Sequence, residues 1–174
     1  AAIRSEADLT IHRSSIRNNL DFDAAGSRQA IHAQGGHLTE IYNSTISGNT
    51  GMGVDVADGT LRVENSTLAD NSGWGLRFEK VAGETLYLRH DLLNGNGSGG
   101  CQANGAGAAT ISTNGYNISQ SYGCDIQSGA GNLITGDINL LPLASFPETF
   151  TAFHLLGPGS PAIDFGSLTT DGVA

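Results

Sequence analysis

Two glutamates and two arginines of this chain could do acid–base chemistry. Glu40, Arg62, Glu64 and Arg89 each lie in a short segment in which apolar and polar residues alternate. Carboxylates can donate and accept protons while a glycosidic bond is cleaved, and guanidinium groups can stabilise negative charge beside them. These residues can act together only if the elements that carry them place all four on one face.

Four segments of the chain repeat one pattern and predict those elements. Each segment runs apolar–polar–apolar, turns, runs polar–apolar again and closes on asparagine. The segments are Leu9–Asn19, Thr39–Asn49, Leu61–Asn71 and Leu86–Asn96, and their closing residues are 30, 22 and 25 positions apart. Self-similarity at such a period indicates a repeat architecture.

The third segment shows how one repeat could form one coil. Because apolar and polar residues alternate from Leu61 to Glu64, Leu61 and Val63 should face inward. Corners at Asn65 and at 70–73 then separate two further short strands. An antiparallel sandwich would instead need hairpin turns of the Asn-Gly type. The repeats therefore predict an all-β fold, a right-handed parallel β-helix of about five to six coils.

The coils are predicted to occupy residues 1–135, with an irregular segment over 136–174 packed along them. All four prolines of the chain fall in this last segment, which argues against regular strands there. Its apolar residues are expected to be buried against the coils: Leu140, Leu141, Phe150, Phe153, Leu155, Leu156 and Ile163. Neither end shows a recognisable cap, so we expect a piece of a longer protein whose coil ends could associate end to end as a homodimer.

The closing asparagines are predicted to form a structural ladder. Identical positions of successive coils stack about 4.8 Å apart. A side-chain amide can then bond the amides of the coils above and below, which satisfies polar groups at an inward-facing corner. The ladder residues are Asn19, Asn49, Asn71 and Asn96.

Stacking the coils also places the candidate acid–base residues on one exposed strand face. Glu40 and Glu64 fall one coil apart and two residues offset, so their carboxyl groups should lie roughly 7–9 Å apart. An inverting glycosidase pair requires about 6.5–9.5 Å. Opposite charges would also meet across coils, Glu40 with Arg62 and Glu64 with Arg89. The same residues could therefore serve catalysis, passive glycan binding or surface ion pairs, each pair worth well under about 1 kcal/mol.

Five further residues could bind a substrate. Tyr42 and Tyr87 could stack on sugar rings beside the glutamates, and His12 shares their face. Asp55 and Arg77 lie in a column on another face, where they should form an ion pair across neighbouring coils.

Composition narrows the range of partners. The formal charge is −9 and the isoelectric point about 4.7. Nucleic acids would be repelled, because their binding depends on Lys and Arg contacts to phosphates. The sequence predicts no transmembrane segment, since no apolar run approaches the roughly 20 residues that a bilayer requires. A polysaccharide or other neutral glycan, or a cation, fits this charge better, and the acidity could equally serve solubility without any partner. No cofactor is expected, although Asp21 and Asp23 could bind calcium; a solvated loop is the alternative.

Two cysteines, Cys101 and Cys124, lie in a stretch rich in Gly, Ser and Asn. Two thiols without a nearby histidine pattern make a poor zinc site. A disulfide would contribute about 3 kcal/mol in the chain-entropy model and would place the protein in an oxidising, extracellular or cell-surface setting. Two buried free cysteines are the alternative.

Essentially the whole chain resembles a known family, and the resemblance is most specific in the C-terminal third. The motifs are Asn114–Ile118, Cys124, Gly136–Leu143 and His154–Gly166, within which Gly159–Asp164 is the most specific. They are similar to the end of bacterial choice-of-anchor Q proteins, which are secreted or surface β-helix proteins with Asn-Ser-Thr-Ile-Ser-Gly-Asn repeats. Those proteins resemble the β-helices of polymorphic outer-membrane adhesins and, more remotely, pectate lyases. The resemblance implies a fold and an extracellular or bacterial cell-surface location more than a chemistry.

Overall fold

The computed structural model describes residues 1–20, 28–113, 115–126, 131–145 and 151–165. Within these ranges the chain forms β-strands, turns and bends without any α-helix. The strands are β1 (Ile3–Ser5), β2 (Leu9–His12), β3 (Ser15–Arg17), β4 (Gln29–Ala33), β5 (His37–Tyr42), β6 (Thr45–Ser47), β7 (Met52–Val56), β8 (Gly59–Glu64), β9 (Thr67–Ala69), β10 (Trp74–Glu79), β11 (Thr85–Arg89), β12 (Leu92–Asn94), β13 (Gly99–Asn104), β14 (Thr110–Ser112), β15 (Ile118–Ser119), β16 (Leu133–Ile134), β17 (Ala144–Ser145) and β18 (Ala152–Phe153).

Three parallel sheets enclose the core. Sheet A stacks β1, β4, β7, β10 and β13, and sheet B stacks β2, β5, β8, β11 and β14. Sheet C stacks β3, β6, β9, β12, β15 and β16. Every third strand along β1 to β15 thus returns to the same sheet, which is the winding of a parallel β-helix.

The number of coils is slightly smaller than predicted. The five strands of sheet A bound about four full turns, whereas the sequence pattern indicated five to six. The difference arises after β13, because among the described residues sheet A gains no further strand, while sheet B ends at β14 and sheet C at β16.

Alternation along each strand builds the core. In β8 the side chains of Leu61 and Val63 are fully buried, while Arg62 between them is exposed. Each inward position stacks on its counterpart one coil away: Leu61 pairs with Thr39 on one side and with Leu86 on the other. Full burial of such a side chain contributes about 1.5–3 kcal/mol, so the apolar files stabilise the solenoid.

Residues in the left-handed conformation turn the chain from sheet B into sheet C. We call this turn the B–C corner. The left-handed φ angles there are 49° at Arg13, 49° at Asn43, 52° at Asn65 and 55° at His90. Asn populates this region at lower cost than most residues, because its short polar side chain can hydrogen-bond locally. The repeated Asn-Ser-Thr motif thus begins with the residue type that the corner requires.

The asparagine ladder lies at the other end of sheet C, where the chain turns toward sheet A. The Oδ1 atom of Asn71 accepts hydrogen bonds from the backbone N–H (3.2 Å) and Nδ2 (2.9 Å) of Asn49. Asn96 accepts the same two bonds from Asn71, and Asn19 donates the same two to Asn49. The Oε1 atom of Gln120 continues the series by accepting from the Asn96 backbone N–H at 2.8 Å. The amides therefore satisfy the buried backbone groups of this corner.

A second ladder runs along the B–C corner. In each coil, a side-chain oxygen accepts a hydrogen bond from the backbone N–H of the preceding coil, over distances of 2.9–3.2 Å. Its members in order are Ser14, Ser44, Ser66, Asp91, Asn117 and Asn132. Sequence reasoning did not identify this ladder, because its members are of three residue types. Their equal offset from each αL corner residue is the signal that could have found it.

A disulfide joins Cys101 to Cys124, as predicted, with the two Cα atoms 5.6 Å apart. Cys101 occupies the inward position in β13 that Leu76 occupies in β10, and both cysteines are buried in the core cluster. The bridge therefore fastens the segment around Cys124 over the core at the last strand of sheet A.

The residues after 135 contact the coils through His154. Its side chain is 1% exposed, its Nδ1 donates to the Leu141 carbonyl at 2.7 Å, and its Nε2 lies 2.7 Å from the Ser47 hydroxyl oxygen. The burial predicted for this segment was wrong at Leu141, Leu155, Leu156 and Ile163, which are 37–48% exposed. Leu140 and Phe153 are half-buried, and Phe150 lies outside the described residues. Within this segment β17 pairs with β18 in antiparallel orientation. The domain boundary at residue 135 stays a prediction.

Candidate functional site

Strands of sheet B carry the candidate residues on their outward face. The register places Glu40 beside Arg62 and Tyr42 beside Glu64. It also places Arg62 beside Tyr87 and Glu64 beside Arg89. We call this surface the sheet B face. It results from strand alternation, because the intervening residues Ile41, Val63 and Leu88 point into the core.

Glu40 is held by its own strand. Its Oε1 accepts a hydrogen bond from the Tyr42 hydroxyl at 2.6 Å, and its Oε2 lies 3.5 Å from the Thr10 hydroxyl that donates to it. Burial and the hydrogen bond to Glu40 raise the pKa of Tyr42 to about 12. Tyr42 therefore stays protonated at neutral pH and acts as a donor. This pair fixes the phenol ring at one end of the face.

Arg62 connects the two tyrosines of the face. Its guanidinium carbon lies 4.9 Å from the centroid of the Tyr87 ring and 5.9 Å from that of Tyr42. Its Nε donates to the carboxylate of Glu64, two residues further along the same strand. That hydrogen bond raises the pKa of Arg62 further, so the guanidinium stays charged.

The hydrogen bonding differs from the charge pairing expected from the sequence. Glu40 and Arg62 are neighbours in register, but the carboxylate that Arg62 binds is that of Glu64. The reason is local: residues two apart on one strand lie on the same face, and Arg62 reaches Glu64 while its guanidinium rests on the tyrosine rings. Both glutamates accept hydrogen bonds here. The acid–base roles of Glu40, Glu64, Arg62 and Arg89 stay a prediction.

His12 lies at the edge of the sheet B face. Its ring meets the ring of Tyr42 edge to face, with centroids 6.3 Å apart. The Nδ2 of Asn43 lies 3.4 Å from its Nε2. His12 is thus placed where it could contact a ligand bound against Tyr42.

Asp55 and Arg77 form a separate cluster on the outer side of sheet A. Arg77 donates from Nε and from a terminal nitrogen to the two carboxylate oxygens of Asp55, at 2.7 and 2.8 Å. Gln29 donates to the same carboxylate at 2.9 Å, and the Nδ1 of His32 lies 3.0 Å from it. Asp55 is fully buried beneath these partners, so the predicted ion pair is present but the carboxylate is inaccessible. The cluster therefore stabilises sheet A, and the substrate-binding role of Asp55 and Arg77 stays a prediction.

The described residues contain neither a metal-binding cluster nor a membrane-spanning helix. No group of three or more His, Cys, Asp or Glu side chains in them is arranged to hold a metal ion. The calcium hypothesis rested on Asp21 and Asp23, which lie outside the described ranges. No described helix is both long and apolar enough to span a bilayer.

Comparison with known proteins agrees with the architecture. Residues 1–116 of the 174 match the family model described as "Right handed beta helix region". No curated protein and no solved structure matches the chain. The matched range covers the strands from β1 to β14, which wind as three stacked parallel sheets. The chain belongs to the right-handed β-helix family.

Proposed function

We propose that this protein is an extracellular or cell-surface β-helix scaffold whose sheet B face binds a glycan. The observation that carries the proposal is the arrangement of Arg62 between Tyr42 and Tyr87, with Glu40 and Glu64 holding the donors in place. Aromatic rings and fixed polar groups on one rigid surface are the features with which proteins bind sugars. Adhesion is the role that such a surface would serve.

Rigidity supports binding at this face. Tyr42 and Arg62 are each hydrogen-bonded to a glutamate, so little side-chain entropy is lost when a ligand binds. The strands are also spaced about 4.8 Å apart, which presents similar groups repeatedly along the solenoid. A polymer with a repeating unit is the ligand class that matches a repeating surface.

The proposed location rests on two observations. The disulfide between Cys101 and Cys124 indicates an oxidising compartment. The segments Gly136–Leu143 and Gly159–Asp164 resemble those of choice-of-anchor Q proteins, for which a secreted or surface location is expected. We propose membership of that narrower group and a bacterial source on the same basis.

The test is retention of the full chain on a panel of immobilised plant and bacterial polysaccharides. Tyr87→Ser should reduce retention at least about fivefold, because the ring contact is lost while serine already occupies the equivalent position, Ser112, in the next coil. Arg4→Gln, at an exposed position on sheet A, should leave retention unchanged. Equal retention of wild type and Tyr87→Ser would refute binding at this face.

A polysaccharide hydrolase or lyase is the second candidate, because Glu40 and Glu64 lie diagonally on one face. The same panel is assayed for new reducing ends and for absorbance of unsaturated uronates. Turnover that disappears in both Glu40→Gln and Glu64→Gln would establish the enzyme. Retention without turnover would establish the binding scaffold.

An end-to-end homodimer is also proposed. Within the described residues, β1, β2 and β3 are the terminal strands of their sheets and have a paired neighbour on one side only. Such edges can pair with a second chain. Sedimentation equilibrium of the full chain tests this, and a monomer mass at high micromolar concentration would refute it.

A further inference from the structure

A polar cleft of about 300 Å³ lies between the B–C corner and strand β18. Corner residues Asn43 and Asn65 line one wall, together with the strand residues Thr45 and Thr67 that follow them. Phe153 of β18 also lines the cleft. The cleft thus combines amides, hydroxyls and one aromatic ring.

The polar wall is ordered by the repeat. Thr45 pairs with Thr67 in the register of sheet C, and the two asparagines hold the same left-handed corner conformation in successive coils. Two amides and two hydroxyls therefore form two short files with a spacing of about 4.8 Å. Their backbone positions are fixed by the sheets before any ligand arrives.

Several of these groups are available for a ligand. The Asn65 amide and the hydroxyls of Thr45 and Thr67 have no hydrogen-bond partner among the described residues. By contrast, the hydroxyl of the neighbouring Ser44 is engaged with the Tyr42 carbonyl at 2.8 Å. The exposed Asn65 amide and the half-buried Thr67 hydroxyl are therefore unused polar groups of the cleft, whereas Thr45 is only 7% exposed.

The cleft is also uncharged. None of the described side chains that line it is ionisable, although the chain as a whole carries a formal charge of −9. A charged ligand would find no counter-ion there and would lose its hydration without compensation. A neutral ligand with many hydroxyl groups fits this lining.

We propose that the cleft is a second subsite, which binds one or two neutral pyranose units of a glycan. The inference rests on the glycan-binding function proposed above and specifies its ligand class. Sugar hydroxyls would bond the amides and threonines, and the C–H face of the ring would pack on Phe153. The volume is at the lower limit of small-molecule sites, about 300 Å³, which suits a short oligosaccharide.

The position of the cleft connects it to the sheet B face. Asn43 directly follows Tyr42 and Asn65 directly follows Glu64, so the same two coils supply both surfaces. His12 also touches both, through the ring of Tyr42 and the amide of Asn43. One glycan chain can therefore extend from the charged face around the corner into the neutral cleft.

Calorimetric titration of the full chain with neutral oligosaccharides and with oligouronates tests the inference. Thr67→Val removes a hydroxyl and keeps the β-branched shape, while Asn65→Asp places a negative charge at a corner that tolerates Asp. Each should weaken binding of the neutral oligosaccharide about fivefold to tenfold. Arg4→Gln, at an exposed position on sheet A, should leave it unchanged.

The outcomes separate this inference from the proposed function. If Tyr87→Ser weakens binding while Thr67→Val and Asn65→Asp do not, the cleft is refuted and the sheet B face stands. If both cleft variants weaken binding and Tyr87→Ser does not, the cleft stands and the face is refuted. Binding of oligouronates alone would overturn the neutral ligand class, and an absence of binding to every neutral oligosaccharide would overturn the cleft.

Discussion

Asp91 replaces serine in the ladder of the B–C corner, and its Oδ1 accepts a hydrogen bond from the Ser66 backbone N–H at 2.9 Å. Its Oδ2 accepts from the Arg89 backbone N–H at 3.0 Å. Asp91 is fully buried. It is ionisable, whereas the other members of this ladder are serines and asparagines. An ionisable group thus occupies a position at which serine and asparagine suffice.

Asp91 should make stability depend on pH. Burial raises its pKa well above the usual value, although two backbone N–H groups oppose the shift. Because the folded-state pKa is raised, this contribution to stability is complete below the unfolded pKa of about 3.9 and is lost as the pH rises through the folded pKa. Between these two values the free energy of unfolding should fall by about 1.4 kcal/mol per pH unit, relative to Asp91→Asn.

Urea unfolding of wild type and Asp91→Asn from pH 4 to pH 8 measures this difference. Asparagine already serves at the equivalent position in the next coil, Asn117, so the ladder should persist. Asp125→Asn is the matched control, because Asp125 is exposed and has a φ of 55° that suits asparagine. A pH-independent difference between wild type and Asp91→Asn would contradict the assignment.

The interior of the asparagine ladder should matter more than its end. Asn71→Ala removes four side-chain hydrogen bonds: two received from Asn49, and those donated to Asn96 and to the Ile46 carbonyl. Since buried groups left unpaired cost about 1–3 kcal/mol each, the loss should be at least about 3 kcal/mol. Asn19→Ala removes one such bond and should cost about 1 kcal/mol. Equal losses in denaturant unfolding would contradict the ladder.

The sequence predicted the fold because one register repeats in every coil. Leu61, Val63 and Asn71 could each be assigned a direction from period-two alternation and from the position of the corner. The side-chain pairing on the surface could not be predicted in this way. Arg62 has acidic neighbours both across the coil and along its own strand, and only packing against Tyr42 and Tyr87 decides between them.

The segment after residue 135 marks a second limit of the sequence analysis. Its apolar residues lack a strict period, so burial was assigned from residue type alone, and Leu155 and Ile163 are exposed instead. The cleft was not predicted for the same reason. It depends on where Phe153 meets the B–C corner, and no local pattern encodes that distance.

The disulfide should stabilise the end of the solenoid. Replacing both Cys101 and Cys124 by Ala should lower the free energy of unfolding by about 3 kcal/mol. The two cysteines are 23 positions apart, and without the bridge the unfolded chain gains conformational entropy. Reduction of the wild type should produce a similar loss, measured by chemical denaturation with and without dithiothreitol. If the reduced protein has two titratable thiols but its denaturation midpoint is unchanged, this role is contradicted.

Gly123 should be required for closing the disulfide. A Cβ at this position would lie 2.0 Å from the carbonyl oxygen of Cys101, which is too close for any side chain. Gly123→Ala should therefore push the segment that carries Cys124 away and increase the free thiol content after oxidative refolding. Gly136→Ala is the matched control, because a Cβ there meets no atom within 4 Å. If both variants contain the same amount of free thiol, the close approach of Gly123 to the Cys101 carbonyl is not required for forming the disulfide.

His90→Asn should stabilise the protein. His90 has a φ of 55° at the B–C corner, where asparagine serves at Asn43 and Asn65. Its buried Nε2 has no hydrogen-bond partner among the described residues, and burial lowers its pKa. Replacement by Asn should relieve the strain of the left-handed conformation and so stabilise the protein by about 1 kcal/mol. The same replacement loses the contact between the His90 and Tyr116 rings. His90→Ala provides the comparison, since it loses the same ring contact but keeps the strain. The thermal midpoint should be highest for His90→Asn, intermediate for wild type and lowest for His90→Ala. If His90→Asn is no more stable than His90→Ala, left-handed strain does not limit the stability of this corner.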